Sequence, residues 1–149
     1  MRELAVLSFV TLDGVMQSPS MPEEDLSNGF THGGWAAPFW DGVMPHVERI
    51  AMAPPYDILF GRKTYEIFAG HWPNAPRSNL SDRLNAAQKY VVTSKSRPLP
   101  WANSHALTGD VAKAVQGLKE QDGPLLQVHG SSVLIQTLQA HDLVDEFRI

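Results

Sequence analysis

Apolar positions along the chain follow two periods. Near-continuous runs, beginning with Leu4-Ala5-Val6-Leu7 inside a strand expected over Glu3 to Thr11, have the pattern of strands covered on both faces. Further strands are expected at Asp57 to Phe60, Lys89 to Thr93, His105 to Leu107, Leu125 to Val128 and Asp145 to Ile149. Between them, helical spacing takes over. Val43, Val47, Ile50 and Ala51 mark one helix with a buried stripe, with Pro45 in its first turn and Pro54-Pro55 as its stop. Short helices are expected around Thr64 to Phe68 and over 81–87, the latter capped by Asn79 or Ser81. Val111, Ala114, Val115 and Leu118 follow the N-cap Asp110, and Ser131 to Ala140 forms the last helix. Strands alternating with short helices predict an α/β fold with a mostly parallel sheet and helices on both faces. Ligands in such sheets collect at the carboxyl ends of the strands.

Residues 17–42 break the pattern. They are rich in Pro, Gly, Ser and Asn without a period, and a loop of this length in a compact domain is functional or disordered. Its aromatic residues, Phe30, Trp35, Phe39 and Trp40, favour function; Trp35 and Trp40 are candidates to stack on a flat substrate, or to pin the loop to the core.

Composition narrows the class. With 149 residues, 43% hydrophobic and 19% charged, one globular domain over 1–149 is expected. A net charge of -4 argues against broad attraction to nucleic acid or anionic membrane, so any bound anion must be held locally. There is no cysteine, and the six histidines show no metal-ligand spacing, so no metal is expected. No leader pattern and no long apolar stretch is visible, which makes a cytoplasmic setting the expectation.

Three strand-end junctions share one chemistry: Gly61-Arg62-Lys63-Thr64, Thr93-Ser94-Lys95-Ser96 and Gly130-Ser131-Ser132. The first and third open helices, whose free N–H groups and positive dipole ends suit an anion. Glycine admits close approach, hydroxyls donate hydrogen bonds and the cations add charge. Each junction alone could be a solvated turn; an extended polyanion would explain all three. Two cations and a Ser-Lys-Ser turn exceed the needs of a pyrophosphate and suit the extra 2′-phosphate of NADP. Motif checks exclude a P-loop, a Rossmann glycine fingerprint and a nucleophile elbow, leaving Ser131 and Ser132 as helix caps and phosphate donors. Among the histidines, His129, beside Gly130, is the one placed to meet a ligand.

The segments "TLDGVM" (11–16), "GGWAAPFWD" (33–41), "ILFGRKTYE" (58–66), "KYVVTSKS" (89–96) and "LLQVHGSSVLIQTLQAHDLVDEFRI" (125–149) resemble, in order, the dihydrofolate reductase superfamily. They are most similar to stand-alone proteins like the C-terminal reductase domain of the bifunctional riboflavin-biosynthesis deaminase/reductase. The resemblance implies a three-layer dihydrofolate-reductase-like fold, here lacking the closing C-terminal strand pair. It implies NADPH as cofactor, held by the turns of Gly61 to Thr64 and of Ser94-Lys95-Ser96 at its adenosine and 2′-phosphate end, and by Gly130-Ser131-Ser132 at its pyrophosphate. Thr11 to Gly14, including Asp13, would border the nicotinamide and substrate. Asp41 looks like the carboxylate that fixes the substrate heterocycle in such reductases, or is a helix cap, and Asp13 is a catalytic candidate or a turn residue. Gly130-Ser131 stands where dihydrofolate reductases have Gly-Gly, which points away from folate. The expected activity is NADPH-dependent reduction of a C=N or C=O bond in a small pterin- or pyrimidine-like heterocycle by a homodimer. A non-catalytic NADP-binding or stress-related module is the alternative.

Overall fold

The computed structural model describes residues 1–53, 55–94 and 97–149. The chain divides into two compact units, one of residues 1–7 with 54–148, the other of residues 8–53 with Ile149.

The first unit is built on six parallel strands: β1 (Leu4–Leu7), β2 (Tyr56–Gly61), β3 (Lys89–Val92), β4 (Ser104–Leu107), β5 (Leu125–His129) and β6 (Glu146–Arg148). Their order across the sheet is β4-β3-β2-β5-β1-β6. Four helices belong to this unit: α2 (Arg62–His71), α3 (Asn79–Ala86), α4 (Val111–Glu120) and α5 (Ser132–Ala140), with α1 lying in the other unit. From β2 to β4 the chain steps toward one edge, and from β4 onward it steps back. Right-handed crossovers then place α2 and α3 on one face and α4 and α5 on the other, which gives three layers. The central strands are apolar on both sides, with Leu4, Ala5, Ile58, Leu59, Phe60, Val91, Leu126 and Val128 fully buried.

Several element boundaries differ from the sequence expectation. β1 is shorter than Glu3 to Thr11, because its pairing with β5 ends at Leu7↔His129. The N-cap of α3 is Ser78 rather than Asn79 or Ser81. Its hydroxyl accepts from the Ser81 N–H (3.1 Å) while the Ser81 hydroxyl accepts from the Ser78 N–H (2.8 Å), a reciprocal capping box. Replacing Ser78 with alanine is expected to lower stability by about 1 kcal/mol, read from the urea midpoint at constant slope.

The second unit contains the long loop and α1 (Trp40–Ile50). The loop is ordered by its own polar groups. Gln17 donates through Nε2 to the carbonyls of Asp25 and Ser27, each at 3.0 Å, and its carbonyl accepts from Trp35 Nε1 at 2.9 Å. The Gly34 N–H reaches the Ser18 carbonyl at 2.8 Å, so the two ends of the segment are tied together. Gly33 is required there: a Cβ would lie 2.4 Å from the Pro22 carbonyl oxygen.

The helix begins at Trp40, so Pro45 sits inside it rather than in its first turn. The missing Pro45 N–H removes the bond that the Asp41 carbonyl would otherwise accept. Of the expected buried stripe, Ala51 at the C-cap is buried, but no residue within α1 is, and Val43 and Ile50 are 41% and 54% exposed. The stop assigned to Pro54-Pro55 falls partly on Pro54, which lies outside the described residues. No helix among the described residues is long and apolar enough to cross a membrane.

Candidate functional site

The three junctions singled out from the sequence follow β2, β3 and β5, which are neighbours in the sheet, so they stand side by side at its carboxyl edge. The first and third are joined directly. Ser131 Oγ accepts from the Gly61 N–H at 2.9 Å and donates to Thr64 Oγ1 at 2.8 Å. The approach is tight enough that a Cβ on Gly61 would lie 3.0 Å from Ser131 Oγ, which is a reason for glycine at that position.

Ser131 therefore does not cap α5 with its side chain, contrary to the reading as a helix cap. It occupies the N-cap position with left-handed backbone (φ 67°), directly after Gly130 (φ 58°). A serine held in that region carries strain of about 1–2 kcal/mol, maintained by its hydroxyl's contacts with the neighbouring turn. Ser132 is exposed at the first position of α5. Neither α2, whose N-cap is Gly61, nor α5 has a side-chain cap, so their first N–H groups are open to an anion. α4 opens at the same edge but is closed by its own Asp110, which accepts from the Lys113 N–H at 3.1 Å.

A cleft of about 670 Å³ lies over β3 and β4 at this edge. Arg62, Lys63, Thr93 and Ser94 line it as expected. Lys95 and Ser96, also assigned to the cofactor, lie outside the described residues. Arg97, Leu107, Thr108 and Gly109 also line it and were not anticipated. Gly109 has a left-handed φ of 82°. Leu107, Thr108 and Gly109 reach the site through the pairing of β3 with β4, a long-range event without local signature, and Arg97 from the segment after β3 whose carbonyl Arg62 holds; a glycine just past a strand end was the available signal. Three cations, Arg62, Lys63 and Arg97, face one carboxylate, Glu66, so the cleft is locally positive on a chain of net charge -4. A second hollow of about 430 Å³ adjoins it, sharing Arg62, Glu66 and Arg97.

His129 is not at this surface. It is 6% exposed, packed against Phe60 (ring centroids 6.1 Å apart) and Phe68 (5.9 Å), with Nε2 paired to Gln127 Oε1 at 3.1 Å. Burial pushes its imidazole down to about 4, which keeps it neutral. Tyr65 is likewise core, 1% exposed, with its hydroxyl accepting from the Trp101 N–H at 3.1 Å.

The candidates on the substrate side all belong to the second unit. Asp13 is exposed in a tight turn, where its carboxylate accepts from Thr11 Oγ1 at 2.6 Å and the Gly14 N–H donates to the Thr11 carbonyl at 2.9 Å. The Thr11 hydroxyl and the residue's own N–H hold Asp13 below the usual carboxylate range. Asp41 is exposed in the first turn of α1; the N-cap there is Phe39, so the capping role is not the one it fills. Trp40 packs edge-on against Phe9 at 4.6 Å, while Phe39 is 65% exposed.

The model of the RibD C-terminal domain family matches residues 2–149. No curated protein matches the chain. Among solved structures, a dihydrofolate reductase from Enterococcus faecalis complexed with NADP(H) and RAB-propyl aligns with a TM-score of 0.50 at 16% identity, over 93% of this chain and 64% of that one. The likeness is one of fold, and this chain spans less than two thirds of that reductase.

Proposed function

From a chain that belongs to the RibD C-terminal domain family, we propose an NADPH-dependent reductase acting as a single domain over 1–149 on a small pterin- or pyrimidine-like heterocycle. The observation that carries the reading is the alignment of three adjacent strand ends, two of them opening uncapped helices, beside a cationic cleft. That donor set fits the cofactor. The Gly130-Ser131-Ser132 start of α5 suits a pyrophosphate, and Arg62, Lys63, Thr93 and Ser94 suit the adenosine end with its 2′-phosphate. Lys95 and Ser96 belong to the same proposed set.

NADPH, when bound, supplies a hydride for the acceptor carbon of a C=N or C=O bond. This chain's residues bind and orient it, and provide a proton for the heteroatom. Asp41 is the carboxylate proposed to fix the substrate heterocycle, with Asp13, Thr11, Trp35 and Trp40 as further candidates of the second unit. A second reading, NADP binding without turnover, draws support from Asp13: a carboxyl held ionised by the Thr11 hydroxyl is a poor proton donor. A homodimer and a cytoplasmic setting complete the proposal; light scattering checks the first.

The test is a fluorescence titration with NADPH and NADH, followed by turnover assays on pterin and pyrimidine acceptors. NADPH should bind about tenfold or more tightly than NADH, and Arg62→Ala should erode that preference. Equal affinity for both cofactors would sink the 2′-phosphate assignment. Turnover that falls in Asp41→Asn supports the reductase, and binding without turnover supports the second reading.

A further inference from the structure

We propose that Arg97, rather than Arg62, is the side chain that takes the cofactor's 2′-phosphate, and that Arg62 is a positioning residue acting through it. The inference rests on the reading of the cleft as a nucleotide-phosphate site.

Arg62 is already engaged. Its Nε donates to Glu66 Oε1 at 2.7 Å, and its two terminal nitrogens donate to the carbonyls of Arg97 (3.4 Å) and Pro98 (3.3 Å). Only 18% of the side chain is exposed, and the guanidinium lies 5.9 Å from the centre of the Tyr65 ring. Two of its five N–H donors thus join α2 to the segment beyond β3 and a third is held within α2 by Glu66, so gripping a phosphate with both arms would compete with its hold on that segment.

Arg97 has the complementary arrangement. Its backbone carbonyl is the one Arg62 holds, while its guanidinium makes no hydrogen bond or ion pair among the described residues. The residue is exposed and lines both the 670 Å³ cleft and the adjoining 430 Å³ hollow. The segment that carries it is fixed at its far end, where the Trp101 N–H donates to the Tyr65 hydroxyl at 3.1 Å, and it is stiffened by Pro98 and Pro100. A planar fork with its donors available, presented from a fixed segment at the mouth of a positive cleft, suits two of the three terminal oxygens of a phosphate monoester. Arg62 sets where that fork stands.

The experiment measures the dissociation constants of NADPH and NADH for the wild type, Arg97→Ala, Arg62→Ala, Arg62→Lys and the double alanine variant. A wild type that binds NADPH no more tightly than NADH overturns the cofactor reading, and this inference with it. Given a wild-type preference, Arg97→Ala should weaken NADPH about tenfold and NADH less than about twofold. Arg62→Ala should show the same selective loss, and the double variant should lose no more than the larger single loss, because both substitutions remove one contact. Arg62→Lys, which keeps the charge but cannot bridge both carbonyls, should behave like Arg62→Ala. A preference retained in Arg97→Ala, additive losses in the double variant, or rescue by Arg62→Lys overturns the inference and leaves the cofactor reading standing.

Discussion

Replacing Asp57 with alanine should lower the unfolding free energy by about 3–5 kcal/mol, while the molecules that remain folded bind cofactor as before. Asp57 stands near the start of β2, and its carboxylate pairs with the Arg2 guanidinium, the two side chains 11% and 3% exposed. Arg2 is otherwise held by Nε to the Pro124 carbonyl at 2.8 Å, by its own N–H to the Lys119 carbonyl at 2.7 Å, and by the face of the Tyr90 ring. Truncating Asp57 leaves a buried guanidinium without its counter-ion. The loss comes from the abandoned charge rather than from the worth of the pair. Asp57→Asn also removes the counter-charge but keeps an acceptor of the same size for the guanidinium, so it should lose somewhat less. Urea titration of the two variants checks the order; equal losses would show that the missing counter-charge accounts for the whole effect and the acceptor for none. Cofactor affinity per folded molecule should not change, because Asp57 sits at the opposite end of β2 from Gly61.

That separation runs through the whole first unit. At the amino edge, cations are buried and held by defined acceptors. Lys119 Nζ donates to Asp145 Oδ2 at 2.5 Å and to the Leu143 carbonyl at 2.8 Å, and Lys89, at 0% exposure, donates to the carbonyls of Asn85, Ala87 and Ala102. At the carboxyl edge, Arg62 likewise fixes the chain through Glu66 and the carbonyls of Arg97 and Pro98, while Arg97 is exposed in the cleft. The amino edge buries its charge to fix the chain, and the carboxyl edge leaves part of it exposed.

The sequence discloses the second end better than the first, for a physical reason. A strand-end turn is local: its glycine, hydroxyls and any cation are neighbours in the chain, so Gly61 to Thr64 and Gly130 to Ser132 can be read directly as the proposed anion turns, and the alternation of strands and helices places them on one edge. The Arg2–Asp57 pair joins residues 55 positions apart, and Lys89 finds its three carbonyls only once α3 and the approach to β4 have packed around it. Nothing in "KYVV" distinguishes a buried lysine from an edge one. Thr108 and Gly109 were missed likewise, since they join the cleft through the pairing of β3 and β4, and Arg97 because its carbonyl is held by Arg62, 35 positions earlier in the chain. Ser131 shows the opposite limit: its position was legible, but its partner was not. A hydroxyl at a helix start reads as a cap, and only the approach of Gly61 and Thr64 turns it into the link between two strand-end turns. In the second unit, the proline and glycine content of residues 17–42 announces a loop, while the hydrogen bonds of Gln17 that order it carry no pattern.

His129 should make the protein acid-labile across a defined window. Its ring is neutral in the fold, with burial holding it near 4, whereas in the unfolded chain it titrates near 6.5. Between these values the unfolded state binds the additional proton, so stability rises with pH across the window and falls as the pH is lowered through it. The full difference amounts to about 3 kcal/mol, present above 6.5 and lost as the pH reaches 4. The packing explains why the folded state resists the proton. The rings of Tyr56, Phe60 and Phe68 surround the imidazole, and its polar partner among the described residues is the neutral Gln127 amide. None of the described residues offers a counter-ion to a charge there. The carboxylates held below their ordinary range, Asp13, Asp145 and Glu146, lose their contributions in more acid solution, so the upper part of the window belongs to the histidine. Urea midpoints measured between pH 4.5 and 7 should rise steadily in the wild type and become flat in His129→Leu, whatever offset the substitution adds at all pH values. A slope that survives the substitution would assign the acid sensitivity elsewhere. Because His129 immediately precedes the Gly130-Ser131 turn, cofactor affinity should fall together with stability at the acid end of the window, and a wild type that loses stability while keeping full affinity would show that the turn holds independently of the strand that carries it.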